Sequence, residues 1–220
     1  MIVALLGDPV SASLSPLMQN AAFAARGLDW TYVALRVRAE QLEPALQGLA
    51  ALGFAGANVT TPHKLAAATL VDADVASVNT LVVRDGALHG SSTDAAILDE
   101  LEFEHVAILG DGGAATAFAE AVPGAVRYSR RSTWPPQLDG VDLVVNATSE
   151  RDEPVAELGT GQTLVDLPYP RTATARRAVD SGAHVVDGLE VLVAQGAASF
   201  QLWTGVPAPV DVMRAAVRSA

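Results

Sequence analysis

The 220-residue sequence contains no cysteine, which excludes disulfides and thiolate metal sites and leaves the redox compartment unreadable. It has no apolar run approaching the roughly 18 residues a membrane helix needs. Its first six residues meet Gly7-Asp8-Pro9 too early, and without a basic flank, for a signal peptide. Basic residues are scarce: 14 Lys and Arg against 25 Asp and Glu give a formal charge of -11, which repels nucleic acid and anionic membrane surfaces. These absences point to a cytoplasmic protein whose partner is a small molecule, and an anionic one would need a local patch of its own. What is abundant is apolar surface. Half the chain is apolar, enough for a packed core in one large domain or two small ones.

Residues 2–6 form a continuous apolar run, the pattern of a buried parallel strand. Residues 17–26 then have helical spacing, with Ser15 as N-cap, Pro16 at the first helical position and Gly27 as the stop. Residues 30–37 alternate as a strand, 39–52 form an amphipathic helix, and 54–59 are a further short apolar strand. A helix over 64–70 follows, its first turn prepared by Pro62, so the first third reads β-α-β-α-β-α. Strands over 77–83 and 87–91 frame Asp85-Gly86, a hairpin signal, and a helix is expected from Asp94 to Leu101. The pattern restarts at His105. Strands over 106–109, 142–145, 163–166 and 183–186 are interspersed with helices over 114–121 and 171–181, and helices over 188–203 and 210–218 close the chain. The fold class is therefore α/β.

Three polar clusters fall at the ends of these elements. Asn58-Val59-Thr60-Thr61-Pro62-His63-Lys64 follows an apolar strand, and open α/β sheets bind ligands outside the carboxyl ends of their strands. Lys64 can supply a proton or a positive charge, and Asn58 and Thr60 can hydrogen-bond a hydroxylated ligand, although Asn and Thr are also ordinary turn residues. Ser11, Ser13 and Ser15 surround a helix amino end that either attracts a carboxylate or is simply capped. In Ser92-Thr93-Asp94, the carboxylate either flanks the next helix or pairs with Lys64 and holds the ammonium in place.

Gly110-Asp111-Gly112-Gly113-Ala114-Ala115 fits G-x-G-x-x-A between a strand and a helix, the context of a dinucleotide-binding turn. About twenty residues beyond its first glycine an NAD site carries an acid for the ribose hydroxyls. Ser129-Arg130-Arg131 stands there instead, and adjacent guanidinium groups suit a 2′-phosphate, so the expected cofactor is NADP. The four histidines lie on separate elements without metal-ligand spacing, and no metal is expected.

With these clusters in this order, the chain resembles the shikimate dehydrogenase family over nearly its full length. The resemblance rests on Gly7-Asp8-Pro9 with Ser13-Leu14-Ser15-Pro16, on Asn58 to Lys64, and on Val78-Asn79-Thr80 and Ser92-Thr93-Asp94. It continues through Gly110-Asp111-Gly112-Gly113, Asn146-Ala147-Thr148, Asp187-Gly188-Leu189 and Val193-Ala194-Gln195. It implies an N-terminal substrate-binding and catalytic domain over 1–93, completed by helices returning from 188–220, and a reduced Rossmann-like NADP-binding domain over 94–187. The activity implied is reversible NADPH-dependent reduction of 3-dehydroshikimate to shikimate, a step of chorismate and aromatic amino acid biosynthesis. Quinate or aminated shikimate are sister substrates that the ring-facing residues do not separate, and a shikimate-binding homologue with impaired cofactor binding is a rival of another class.

The resemblance further implies that Ser13 and Ser15 bind the substrate carboxylate with Tyr169 nearby, and that Thr60, Lys64, Asn79, Asp94 and Gln195 surround the ring hydroxyls. Lys64 and Asp94 are then the catalytic pair, while Gly110, Gly112, Gly113, Ala114, Ser129, Arg130, Arg131, Thr148 and Gly188 serve the cofactor. There are departures. Ser92-Thr93 stands where the family usually shows Asn-Thr, and Val191 where it usually has methionine. The segment between Lys64 and Asn79 is short, and that between Arg131 and Asp142 is too proline-rich for a crossover helix. One flank of the second sheet is therefore expected to be poorly covered near the adenosine, weakening NADP binding or leaving a face for a second subunit in a homodimer.

Overall fold

Val3, Ala4, Leu5 and Leu6 are all buried, so strand β1 (Ile2–Gly7) is covered on both faces, as its unbroken apolar run requires. It pairs in parallel with β2 (Thr31–Arg36) and β3 (Phe54–Val59). Beyond β3 the sheet turns antiparallel through β4 (Thr80–Arg84) and β5 (Ala87–Ser91), giving the order β2-β1-β3-β4-β5. The β4–β5 hairpin closes on Asp85 and Gly86, both at positive φ, as the twist of a two-residue hairpin demands.

In the computed structural model, which describes residues 1–220, this sheet belongs to a unit of residues 1–94 and 193–220, and residues 95–192 form a second unit. The divisions thus fall after Asp94 and Leu192, against sequence limits after residues 93 and 187. One face of the first sheet meets α2 (Leu42–Ala51) and α3 (Lys64–Leu70), where Ala4, Leu6, Leu46, Leu49, Val59 and Ala67 share one buried cluster. Aromatic pairs join α1 (Ser15–Ala25) to α6 (Gly188–Thr204), with Phe23 stacked on Phe200 at 5.3 Å, and β2 to α6, with Tyr32 tilted on Trp203 at 6.0 Å. The Trp203 Nε1–H donates to the Leu81 carbonyl at 2.9 Å, and Gly56 lies beneath the indole. The last helix, α7 (Val210–Arg218), packs on α1.

The second unit carries a wholly parallel sheet in the order β10-β9-β8-β6-β7, built from β6 (Val106–Leu109), β7 (Val126–Tyr128), β8 (Leu143–Asn146), β9 (Thr163–Asp166) and β10 (His184–Val186). This is a Rossmann-like arrangement, in which the chain leaves β6 toward β7 and then crosses back to β8, so the switch point lies between β6 and β8. Only α4 (Gly113–Ala121) and α5 (Ala173–Asp180) serve as helical crossovers between its strands. The other two connections are irregular, and they correct the expectation of an exposed flank. Val155, Ala156 and Leu158 are buried against β6, β8 and β9, with Trp134, Leu138 and Val141 packed beside them. Apolar loop residues thus do what a crossover helix would do. No helix of the chain is long and apolar enough to cross a membrane.

Three local expectations fail. Between Asp94 and Leu101 only a short 3-10 helix forms, Ala96–Glu100. Pro62 precedes α3 in a cis peptide rather than occupying its first turn. Ser15 begins α1 without capping it, and the acceptor is Ser13, whose Oγ takes the Ser15 N–H at 3.2 Å.

Asp166, at the end of β9, is fully buried. It accepts from Asn146 Nδ2 at 2.7 Å, from Thr172 Oγ1 at 3.1 Å and from the Thr172 N–H at 3.2 Å. Burial pushes this carboxyl above the ordinary carboxylate range, against hydrogen bonds from Asn146 and Thr172 that favour the anion.

Two outcomes are expected. A β-carbon at Gly56 would overlap the Leu81 carbonyl oxygen and stand 2.7 Å from Trp203 Nε1, so Gly56→Ala should cost about 1–3 kcal/mol in denaturant unfolding; an unchanged midpoint would refute the close approach. Because the folded state keeps the Asp166 proton to higher pH than the unfolded chain, its stabilisation is complete below the ordinary carboxylate pKa and lost as pH rises through the raised one. In thermal melts, Asp166→Asn should therefore gain on the wild type as pH rises from about 4 toward neutrality. A pH-independent difference would contradict the protonation argument.

Candidate active site

The switch point of the first sheet lies between β1 and β3, and the polar residues gather there. The chain leaves β3 with Thr60, whose N–H donates to the Leu6 carbonyl at 2.8 Å, while the Asp8 N–H donates to the Thr61 carbonyl at 3.1 Å. A β-carbon on Gly7 would overlap the Thr60 methyl, so the lack of a side chain lets these two strand ends close together. Thr60 is half-buried beside them, and Ser13 and Ser15 stand on the return into α1, Ser15 nearly enclosed.

Lys64 opens α3, and its ammonium donates to both Asp94 oxygens at 2.6 Å. The side chains are only 14% and 9% exposed, so neither charge is well solvated by bulk water and each depends on the other. Asn79 holds the carboxylate from the far side, its Nδ2 donating to Asp94 Oδ1 at 2.9 Å. The same amide lies 3.0 Å from Thr93 Oγ1 and 3.4 Å from Gln195 Oε1 on α6, and its Oδ1 accepts the Thr93 N–H at 2.7 Å. Lys64, Asn79, Asp94 and Gln195 thus come together, and a partly exposed ammonium is left at the strand ends.

Behind them is a buried polar layer built on Asn58, which the sequence offered to a hydroxylated ligand but whose amide is taken up by internal hydrogen bonds. Asn58 Nδ2 donates to Thr80 Oγ1, to Ser199 Oγ and to the Asn79 carbonyl, all within 3.1 Å, and Asn58 Oδ1 accepts the Tyr32 hydroxyl at 2.8 Å. Thr80 and Thr93 also meet Ser199, at 2.8 and 3.0 Å. Ser199 follows Gln195 by four residues, one helical turn, so both project from one face of α6. That spacing was the available signal for Ser199. Nothing local marks Tyr32, which reaches Asn58 across the sheet.

In the second unit, Gly110 ends β6 at φ 126°, and a β-carbon there would lie 2.9 Å from the Ala147 carbonyl oxygen at the end of β8. Gly112 faces open space, and no side chain caps the amino end of α4, where Gly113 and Ala114 begin the helix. Uncapped backbone amides with this clearance fit the diphosphate of a dinucleotide. Thr148 is held by Asn146 Oδ1, which accepts its hydroxyl at 2.7 Å. Ser129 Oγ meets Ser132 Oγ at 3.0 Å, and the exposed Arg130 and Arg131 are ion-paired with Glu150 and Asp111.

Two of the expected site residues have other structural duties. Gly188 starts α6 where a β-carbon would collide with the Leu167 and Pro168 carbonyls. Tyr169 lies in this second unit, in the cis-proline loop after β9, and its carbonyl accepts from Arg151 at 2.7 Å.

Known proteins share this organisation. A family model described as the shikimate dehydrogenase substrate binding domain matches residues 5–81, and one described as the shikimate 5′-dehydrogenase C-terminal domain matches residues 188–218. A shikimate dehydrogenase (NADP(+)) of Moorella thermoacetica is 39% identical over an alignment covering 100% of this chain and 93% of the relative. That alignment runs over 277 positions against 220 residues here, so the relative carries segments this chain lacks. A crystal structure of a shikimate dehydrogenase in complex with NADP+ superposes with a TM-score of 0.89 at 31% identity, covering 99% of this chain and 94% of the other. The Thermus thermophilus shikimate 5-dehydrogenase in complex with NADP(H) and shikimate gives 0.83 at 29% identity, covering 100% and 99%. Strand order, polar clusters and full-length similarity lead to one conclusion: the chain belongs to the shikimate dehydrogenase family.

Proposed function

We infer that this protein is an NADP-dependent shikimate dehydrogenase, reducing 3-dehydroshikimate reversibly to shikimate. The observation that carries the reading is the Lys64 ammonium, held 2.6 Å from both Asp94 oxygens at a strand-end site lined by amides and hydroxyls. Reducing a ring ketone builds negative charge on its oxygen as the carbon becomes tetrahedral. A fixed ammonium stabilises that charge and delivers the proton, so Lys64 is the acid in reduction and the base in the reverse direction. Asp94 orients Lys64 and accepts from a ring hydroxyl.

Thr60, Asn79 and Gln195 bind the remaining ring hydroxyls in this reading. Ser13, Ser15 and Tyr169 are the contacts of the substrate's carboxylate. Residues 1–94 and 193–220 form the substrate-binding and catalytic unit, and residues 95–192 form the dinucleotide-binding unit. NADPH, when bound, supplies the hydride. Gly110, Gly112, Gly113 and Ala114 would hold its diphosphate, Ser129, Arg130 and Arg131 its 2′-phosphate, and Thr148 and Gly188 the remainder.

The test is spectrophotometric. Purified protein given shikimate and NADP should raise the absorbance of the reduced nicotinamide, and Lys64→Ala should lower kcat by about 10²–10⁴-fold, the usual contribution of a positioned acid or base. Because removing one partner of a shielded pair also destabilises, a cooperative melt must accompany that loss. Equal turnover in wild type and variant would end the catalytic assignment.

A further inference from the structure

The two arginines expected to read a 2′-phosphate are not free. Arg131 Nη1 stands 3.3 Å from Asp111 Oδ2, and Arg130 Nη2 stands 3.6 Å from Glu150 Oε2. The acids come from the turns after β6 and β8, the strands that flank the switch point, and both arginines come from the turn after β7. We propose that Asp111 and Glu150 set this chain's preference between 2′-phosphorylated and plain dinucleotides, by holding back the guanidinium groups that would bind the phosphate. The proposal rests on the dinucleotide reading given above.

The Glu150 carboxylate is fixed in place. Its Oε1 accepts the Asp152 and Arg151 N–H groups at 3.2 and 3.1 Å, and such bonds, that of Asp152 foremost, hold its pKa below the ordinary carboxylate value. These bonds favour its anionic form. On its other side Arg130 lies over Trp134, with Cζ 5.8 Å from the ring centroid. A phosphate arriving at Arg130 has to draw it from an acid that cannot follow.

Asp111 is differently placed, because it sits inside the Gly110–Gly113 turn, beside the uncapped amino end of α4. Its negative charge opposes any dinucleotide's diphosphate and is offset while Arg131 stays paired with it. Recruiting Arg131 to a 2′-phosphate uncovers that charge. Two cations facing two anions make a neutral patch, so the 2′-phosphate gains less here than two unpaired arginines would give.

The two acids should therefore behave differently when neutralised. Glu150→Gln should tighten NADP and leave NAD unchanged, because NAD has no group at Arg130. The expected gain in the ratio of the two dissociation constants is about two- to fivefold, the equivalent of one exposed ion pair. Asp111→Asn should tighten both dinucleotides, NADP more than NAD. Calorimetric titration of the full chain with NADP and with NAD checks this, for wild type, Asp111→Asn, Glu150→Gln, Arg130→Ala and the Glu150→Gln/Arg130→Ala double variant. An Asp111→Asn chain that binds both dinucleotides as the wild type does would overturn the part given to Asp111.

In the Arg130→Ala background the Glu150 substitution should have no effect on the ratio. An unchanged ratio in Glu150→Gln alone, or a gain that persists without Arg130, would overturn the proposal while leaving the enzyme assignment standing. A wild type that binds neither dinucleotide would overturn both.

Discussion

The first unit is organised by the need to keep one ammonium and one carboxylate together with little bulk water around them. Taking both charges out of solvent costs several kcal/mol per ion, which their attraction offsets only if the remaining donors and acceptors are satisfied. Asn79 meets that condition for Asp94, Thr93, Thr80 and Asn58 meet it in turn for Asn79, and Ser199 meets it for those three. The network explains why the carboxyl-terminal helices fold back onto the amino-terminal sheet. Ser199 and Gln195 complete hydrogen bonds that β3 and β4 leave open, and Trp203 closes the same face over Gly56.

The second unit meets its constraint with less material. Two helices and two apolar loops cover a five-stranded parallel sheet, and the buried Asp166 ties the end of β8 to the loop that leads into α5. The turns at Gly110 and Ala147 approach closely because Gly110 has no side chain. Of the arginines near those turns, Arg130 and Arg131 have acidic partners, while Arg127 donates to the Gly110 carbonyl at 2.9 Å.

Much of this was legible in the residues. The strand Phe54–Val59, the helices Lys64–Leu70 and Val210–Arg218 and the Asp85-Gly86 hairpin follow from periodicity and turn chemistry, which are local properties. The Lys64–Asp94 pairing was one of two readings of Asp94, and only three-dimensional proximity decides between them. What was not legible depends on tertiary contact. Trp134, Leu138 and Val155 look like loop residues in a row of prolines and acids, yet they replace a helix because a parallel sheet must bury both faces. Tyr32 and Ser199 reach the polar layer from distant points in the chain, and Ser13 rather than Ser15 accepts at the start of α1 because the turn before the helix sets the direction of each hydroxyl.

The central claim is that Lys64 and Asp94 act on one ring hydroxyl. A crystal structure of the protein with bound shikimate addresses it most directly. Expected is a single hydroxyl oxygen within about 3.2 Å of both Lys64 Nζ and an Asp94 oxygen, with the ion pair still formed. Shikimate bound elsewhere, or bound with its hydroxyls turned away from the ammonium, would contradict the claim.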